Sequence, residues 1–560
     1  MAREKQQKEN WGSRLGVVLA VAGSAVGLGN FLRFPGQVAK YGGGAFMIPY
    51  LISLLVVAIP LAFSEWALGR CGGRLGFHSP LGIYYAVGGR KKRWGMCGGL
   101  SALAPFVINM YYIFIESWCL LYAFQYLGGC LKSVGLGFSL FANSAPGLDF
   151  SNSQGYVDFF NSFVGIEADG ALFKGSFLVV FATLMCAAAN FALIYCGISK
   201  GIERFCKIAA PLILICSVMV IARVLSLGNP TGTPGQGLLD ALGFMWNPTR
   251  EITTASGEIV KVGVLQTLRN PESWLAATSQ IFFTASLCLG AIVTYSSYVK
   301  ENEDIALSSL TATSTNEFCE VILGGMMAIP PAIMFLGAQA AERFESSFSM
   351  GFVVLPNVFG EMPAGQFFGF IFFILLFFAA VTSSMSLVQP TVALLQEAFR
   401  WTRGRSVIVA GLVNLTGTAI VCWFTQGLAA LDAFDFWLAN FGPFLFAVVQ
   451  TFLVSYVWGL ASFHKELNRC AKIRVPAWIG FVVKYVSLPY LILIFALWCR
   501  NNLGDQLKNI ASQPVVQLTL AFLGALSVAL LALSYLVTRR WSSESEKRVL
   551  EEEKILTNQA

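Results

Sequence analysis

Twelve apolar stretches, each longer than twenty residues, run through this 560-residue chain, and the connections between them hold most of its lysines and arginines. A bilayer's hydrocarbon core is about 30 Å thick, and an α-helix crosses it with about 20 residues. The stretches lie at about 14–38, 42–70, 94–126, 175–196, 198–225, 273–298, 307–337, 367–399, 405–425, 430–460, 477–500 and 515–538. Composition agrees, with 56% of residues hydrophobic and 12% charged; soluble domains run near ~45–50% and ~25%. The length alone would allow about three or four soluble domains, but the shortage of charge excludes them. The expected fold is an all-α integral membrane protein with twelve transmembrane helices.

The same distribution removes several partners and chemistries. The net charge is +7, yet the basic residues sit in short loops and build no single basic face, so no nucleic-acid partner is expected. The two histidines, His78 and His464, are far apart, and no CxxC occurs among the thirteen cysteines. Most of those cysteines (Cys119, Cys186, Cys216, Cys288, Cys319, Cys422) fall inside apolar stretches, where they pack as small apolar groups. No Walker A sequence is present. The spans hold neither a nucleophile–base pair nor a metal cluster, so an enzyme is not expected. The lipid bilayer is the expected surrounding, with the chain a monomer or homodimer in it.

Orientation follows from the basic residues. Arg70, Arg74, Arg90, Lys91, Lys92 and Arg93 crowd the connection after span 2. Arg400, Arg403 and Arg405 follow span 8, and Lys465, Arg469, Lys472 and Arg474 follow span 10. Both termini are therefore expected in the cytoplasm, and the chain in the cell's inner (plasma) membrane. One connection dissents: Lys300-Glu301-Asn302-Glu303-Asp304 is acidic yet must lie inside. The Gly/Ser/Asn-rich segments 127–174 and 226–272 are expected as extracellular loops, and the tail after Trp541 as a short helix or disordered.

Spans 1 and 6 are both interrupted by glycine. Span 1 carries Gly23-Ser24-Ala25-Val26-Gly27-Leu28-Gly29-Asn30, and span 6 carries Phe283-Thr284-Ala285-Ser286-Leu287-Cys288-Leu289-Gly290. Matching broken helices in two halves point to a midplane binding site in an inverted-repeat transporter. Unwound backbone at membrane depth is tolerated only where it lines a buried cavity. Close helix packing by small residues explains the glycines equally well when they are taken alone.

The motifs GSAVGLGNFLRFP (23–35), YGGGAFMIPY (41–50), YYIFIESW (111–118), GISKGIERF (197–205), QIFFTASLCLGA (280–291), TNEFCEVILGG (315–325), TSSMSLVQP (382–390) and DFW (435–437) resemble, in this order, the neurotransmitter:sodium symporter family, particularly its bacterial LeuT-like amino-acid transporters. That family is the type case of the broken-helix architecture, so the two arguments are not independent. The resemblance implies a LeuT-like inverted 5+5 repeat with broken helices 1 and 6. It divides the chain into a cytoplasmic N-terminus (1–13), a first repeat (14–225, spans 1–5), an extracellular loop (226–272), a second repeat (273–460, spans 6–10), spans 11–12 (477–538) and a cytoplasmic tail (541–560). It implies sodium-coupled symport by alternating access. A channel lined by the broken helices is the competing class, separated by stoichiometric coupling to sodium.

Sodium is a hard cation that prefers oxygen ligands. By resemblance the first of two sodium sites takes the Ala25 carbonyl, Asn30, Thr284, Asn316 and the substrate's own carboxylate. The second takes the carbonyls of Gly23, Val26 and Ala379 with the hydroxyls of Thr382 and Ser383. The substrate carboxylate is expected at the amides around Leu28 and Gly29, favoured by the half-helix dipole, and at the Tyr112 hydroxyl. Its ammonium is expected at carbonyls near Ala25 and Phe283 and in the Ser286 region. Monoamine-carrying relatives have Asp at the position of Gly27; glycine leaves room for a ligand carboxylate, which implies an amino acid. The side-chain pocket is expected from Val26, Ile108, Tyr112, Phe283, Ser286, Leu289, Ser383 and Leu387, with Thr284 beside it. No ionisable group beyond Tyr112 is among them, so the cargo is expected to be neutral and apolar. Leu289 stands where the leucine transporter has Phe and Ile108 where it has Val, one change enlarging the pocket and the other shrinking it.

The resemblance also implies an outer gate of Arg33 and Asp435 above an aromatic lid of Tyr112 and Phe283, with Gln280 beside Arg33. The inner gate is expected from Lys8 and Glu397. Glu65 and Glu116 are expected to hold freed backbone amides of the broken helices. Glu320 lies one helical turn after Asn316. Chloride-dependent relatives have Ser there and bind chloride among that residue, Tyr50 and Gln280. A built-in carboxylate implies chloride-independent transport, with proton antiport through Glu320.

Overall fold

The computed structural model describes residues 11–133, 153–174, 177–253, 259–337 and 347–559. Among them ten helices are long and apolar enough to cross a membrane: Gly43–Arg74 (span 2), Lys92–Lys132 (span 3), Phe177–Tyr195 (span 4), Ile198–Leu225 (span 5), Ile305–Leu336 (span 7), Gly365–Phe399 (span 8), Arg403–Trp423 (span 9), Gln426–Leu467 (span 10), Trp478–Ser512 (span 11) and Pro514–Glu544 (span 12). Arg14–Ala25 and Gly29–Lys40 meet at a bend of 47° and together make span 1. The remaining stretch is two shorter helices, Pro271–Thr284 and Ala291–Ser297, on either side of residues 285–290. Counted as one broken span 6, they bring the total to twelve.

Local sequence starts these helices where the structure does. Ser13 caps span 1 by accepting from Gly16 N, and Asn270 caps span 6 by accepting from Glu272 N, with Pro271 in the first turn. Asp304 does the same for span 7 through Leu307 N. Such caps satisfy backbone donors that a helix start leaves unpaired. The breaks are equally local. Span 1 leaves helical geometry at Val26, and the span 6 interruption holds Ser286, Cys288 and Gly290 at positive φ (50°, 61° and 73°). Glycine adopts that region freely; serine and cysteine are strained there, as happens at functional sites.

The most apolar window of span 3 is 94% buried and that of span 8 is 83%, whereas span 12 is only 17% buried. Spans 3 and 8 therefore form the interior against which the broken spans pack. Spans 4, 5, 11 and 12 expose large apolar side chains such as Phe181, Leu184, Ile215, Leu493 and Val528. An apolar exterior of this kind suits hydrocarbon.

The segments expected as plain loops are more structured. Residues 127–133 still belong to the span 3 helix, helices follow at Ser153–Val164 and Ala171–Lys174, and Leu238–Trp246 is helical. A hairpin pairs Arg250–Thr253 antiparallel with Ile259–Val262. The tail takes the helical alternative: the span 12 helix continues to Gln559.

The dissenting acidic connection has a structural explanation. Arg70, fully buried, donates to the carbonyls of Glu303, Arg469 and Glu466 and pairs with the Glu466 carboxylate at 2.8 Å. Asp304 accepts from Lys472 N, and Glu301 lies 3.6 Å from Arg469. The acidic connection after span 6 is thus knitted to the basic connection after span 10. Their charges compensate on one side of the molecule.

Candidate functional site

The two breaks face each other across spans 3 and 8 and border a small cavity. Its wall contains Ala25, Gly27, Gly29, Ile108, Tyr112, Phe283, Ser286, Leu289, Ser383 and Leu387, all expected from the sequence. Val26, expected in the side-chain pocket, and Leu28 and Thr284, expected beside the substrate, are buried and are not part of this wall. The reason is the direction of the unwound turn. Leu28 offers its backbone N–H, which donates to Tyr112 Oη at 3.2 Å, and Thr284 faces away toward Asn30. Four lining residues were not anticipated: Ser24, Phe282, Ala439 and Pro443. Ser24 sits within the interrupted motif and was legible there; the two span 10 residues carried no local signal.

Glycine is required at two of these positions by close approach. A Cβ on Gly27 would sit 2.6 Å from Ser383 Oγ and 2.9 Å from Tyr112 Oη, and one on Gly29 would meet the Phe283 ring at 2.6 Å. One backbone carbonyl at the break is already engaged. Ser24 O accepts from Ser286 Oγ at 3.0 Å and from Ser383 Oγ at 3.2 Å, which ties spans 1, 6 and 8 at one atom.

Behind Gly27 lies a cluster of amide and hydroxyl groups. Asn30 Nδ2 donates to Thr284 Oγ1 and to Asn316 Oδ1, both at 2.9 Å, and Asn30 Oδ1 accepts from Gly27 N at 2.8 Å. All three side chains are buried. A second group lies between spans 1 and 8. Thr382 Oγ1 donates to Ala379 O at 2.9 Å, and a Cβ on Gly23 would fall 3.5 Å from the Thr382 side chain. Both groups offer uncharged oxygens, a donor set that fits a hard monovalent cation.

Glu320 projects into the first cluster's edge. Its carboxylate accepts from Gln280 Nε2 at 2.5 Å and from Tyr50 Oη at 3.0 Å, and Tyr50 also donates to Glu317 at 2.6 Å.

The model of the sodium:neurotransmitter symporter family matches residues 8–543. The chain belongs to this family. The symporter is 27% identical over 504 residues to an uncharacterised sodium-dependent transporter of Methanocaldococcus jannaschii, covering 89% of this chain and 92% of that one. Sodium- and chloride-dependent GABA transporter 2 of Homo sapiens is 24% identical over 485 residues, covering 82% of this chain and 75% of that one. The crystal structure of MhsT in complex with L-phenylalanine matches with a TM-score of 0.70 at 26% identity, over 87% of this chain and 99% of that one. The symporter is thus a sodium-dependent, multi-pass secondary transporter of LeuT-like fold, and not an enzyme.

The expected gates of the symporter need correction at three points. Arg33 and Asp435 are not in ion-pair contact; Asn440 joins them, accepting from Arg33 at 3.3 Å and donating to Asp435 at 2.7 Å, while Tyr111 Oη donates to Asp435 at 2.7 Å. Gln280 gives its amide N–H to Glu320 rather than its oxygen to Arg33, and the neighbouring Ser279 hydroxyl accepts from Arg33 at 2.9 Å. The Arg33 guanidinium lies 4.8 Å from the centre of the Phe283 ring, a cation–π contact above the cavity. On the other side Lys8 lies outside the described residues. Glu397 accepts from the backbone of His78 and from the N–H and hydroxyl of Ser79, so it caps the helix at Pro80–Val87.

A different carboxylate receives the chain's start. Glu203 of span 5 accepts from Gly12 N at 2.8 Å, Ser13 Oγ at 3.0 Å and Lys207 Nζ at 2.7 Å. Trp11 beside it donates to Tyr295 O at 2.9 Å and stacks edge-on against the Tyr295 ring. Glu203 lay within the GISKGIERF motif, but nothing in the sequence paired it with Gly12. Glu65 accepts from Cys288 N at 3.0 Å within the span 6 break. Glu116 departs from expectation: it binds the side chains of Asn190 and Ser384, joining spans 3, 4 and 8.

Proposed function

We propose that this symporter carries neutral, apolar amino acids together with two sodium ions by alternating access, without chloride, and with proton antiport through Glu320. The observation that carries this reading is the position of Gly27. It lines the cavity and, through its N–H, contacts Asn30 of the buried amide and hydroxyl cluster. A ligand carboxylate seated against Gly27 and the Leu28 amide reaches toward Asn30, Thr284 and Asn316, so it can complete the first sodium shell with the Ala25 carbonyl. Cargo and ion then bind as one unit. The second ion takes Gly23, Val26, Ala379, Thr382 and Ser383, bridging spans 1 and 8.

Neutral, apolar cargo is supported by a cavity wall with no Asp, Glu, Lys, Arg or His. MhsT, which was crystallised with L-phenylalanine, is an amino-acid-binding neighbour. Glu320 lies among Tyr50 and Gln280, where the resemblance places chloride in chloride-dependent relatives. Its fixed negative charge replaces the anion beside the first sodium site. Once sodium leaves, the same carboxylate takes a proton for the return step. Arg33, Asn440 and Asp435 close the outer mouth. Both termini lie in the cytoplasm and the chain in the inner (plasma) membrane.

Reconstitution into proteoliposomes tests the reading. One radiolabelled apolar amino acid should accumulate on an inward sodium gradient and be displaced by unlabelled apolar amino acids. Equal binding in sodium and potassium buffers would overturn it.

A further inference from the structure

The cavity's polar groups come from four spans: Ser24 from span 1, Tyr112 from span 3, Ser286 from span 6 and Ser383 from span 8. Span 10 contributes only Ala439 and Pro443. These two residues are four apart and share a helix face. The apolar side chains of the wall also include the bulky Ile108, Phe282 and Leu289. The charged groups of an amino acid are therefore met by the other spans, and its side chain is left the wall that span 10 completes.

That wall is held firmly. Span 10 packs on span 3 where a Cβ on Gly442 would lie 3.7 Å from the Ala104 methyl, one turn before Ile108. The Phe282 ring stands edge-on to Phe444 at 5.0 Å. Span 10 cannot drift inward to fill space that a small ligand leaves, because tightly packed interiors relax only in part. Ala439 brings a single methyl to a wall in which Ile108, Phe282 and Leu289 bring larger side chains. The next residue, Asn440, joins Arg33 to Asp435.

We propose that Ala439, backed by Pro443, is the size-determining residue of this pocket, and that the symporter selects amino acids with large apolar side chains, leucine-sized and above. The inference rests on the amino-acid reading given above and narrows it. A small cargo leaves the span 10 wall uncovered and loses apolar contact. One methylene in an apolar pocket discriminates by about 10- to 200-fold.

The test is competition against one radiolabelled substrate in proteoliposomes, with the wild type, Ala439→Leu and Ala439→Gly. In the wild type, leucine, methionine, phenylalanine and tryptophan should compete at least about tenfold better than glycine, alanine and serine. Ala439→Leu should weaken phenylalanine and tryptophan by at least about tenfold relative to alanine. Ala439→Gly should move preference toward the largest side chains. It guards against the leucine variant simply failing to fold. Sodium-dependent uptake with the same ranking in all folded variants overturns the role of Ala439 and leaves the amino-acid reading standing. A wild type displaced by no amino acid overturns both.

Discussion

The side-chain amide of Gln280 donates to the carboxylate of Glu320 at the edge of the cluster formed by Asn30, Thr284 and Asn316. Span 6 and span 7 thus meet through a carboxyl group, with the Tyr50 hydroxyl at 3.0 Å from the same group. Replacing Glu320 by serine removes this carboxyl from beside Gln280 and Tyr50, where the resemblance places chloride in chloride-dependent relatives. Wild-type uptake should therefore be equal in chloride and gluconate, and Glu320→Ser should be stimulated by chloride alone. A Glu320→Ser variant equally active in both buffers rejects the charge role.

Asn30 touches both halves of the proposed coupling, through Gly27 N and through Thr284 and Asn316. Asn30→Ala should weaken sodium and substrate together, because coupling between two ligands is reciprocal. A coupling free energy of about 1–3 kcal/mol corresponds to about 5- to 150-fold in either affinity. Substrate binding measured across a sodium titration checks this. Loss of one affinity with the other intact would show that the two ligands do not share this residue.

Gly27→Asp should abolish amino-acid binding by placing a second carboxylate against the ligand's own, a like-charge contact made costly by the buried site. The geometry adds a steric part, since any Cβ there falls 2.6 Å from Ser383 Oγ. Gly27→Ala separates the two causes. Binding should be reduced in the alanine variant and absent in the aspartate one, read by scintillation proximity. Wild-type affinity in Gly27→Asp would place the ligand elsewhere.

Arg70 and Glu466 form a buried pair whose remaining donors are spent on three carbonyls. Arg70→Met leaves Glu466 with only Arg74 at 3.3 Å and strands those carbonyls. Breaking such a pair from one side costs about 3–5 kcal/mol. Thermal unfolding of the detergent-solubilised protein should show a markedly lower midpoint for this variant. An unchanged midpoint would mean the network contributes no net stability.

Apolar length and the placement of Lys and Arg determined that this chain crosses a membrane many times, because hydrocarbon admits little besides self-satisfied helices. The glycines of spans 1 and 6 marked the breaks, and Gly290 sits at positive φ, but what crowds positions 27 and 29 is Tyr112, Phe283 and Ser383 from other spans. Motif order supplied the family. Which partner each polar side chain chooses was decided only by the tertiary structure. Arg33, Asn440 and Asp435 come from spans 1 and 10, and no spacing in the sequence reveals that an amide stands between the two charges. That the Gln280 N–H meets Glu320 of span 7, while Ser279 meets Arg33, depends on how spans 1, 6 and 7 pack. Glu203 met Gly12 across 191 residues of sequence, and Ala439 reached the cavity from a helix with no binding motif there. Helix formation is set by neighbours along the chain, whereas hydrogen-bond partners and cavity walls are set by which helix faces pack together.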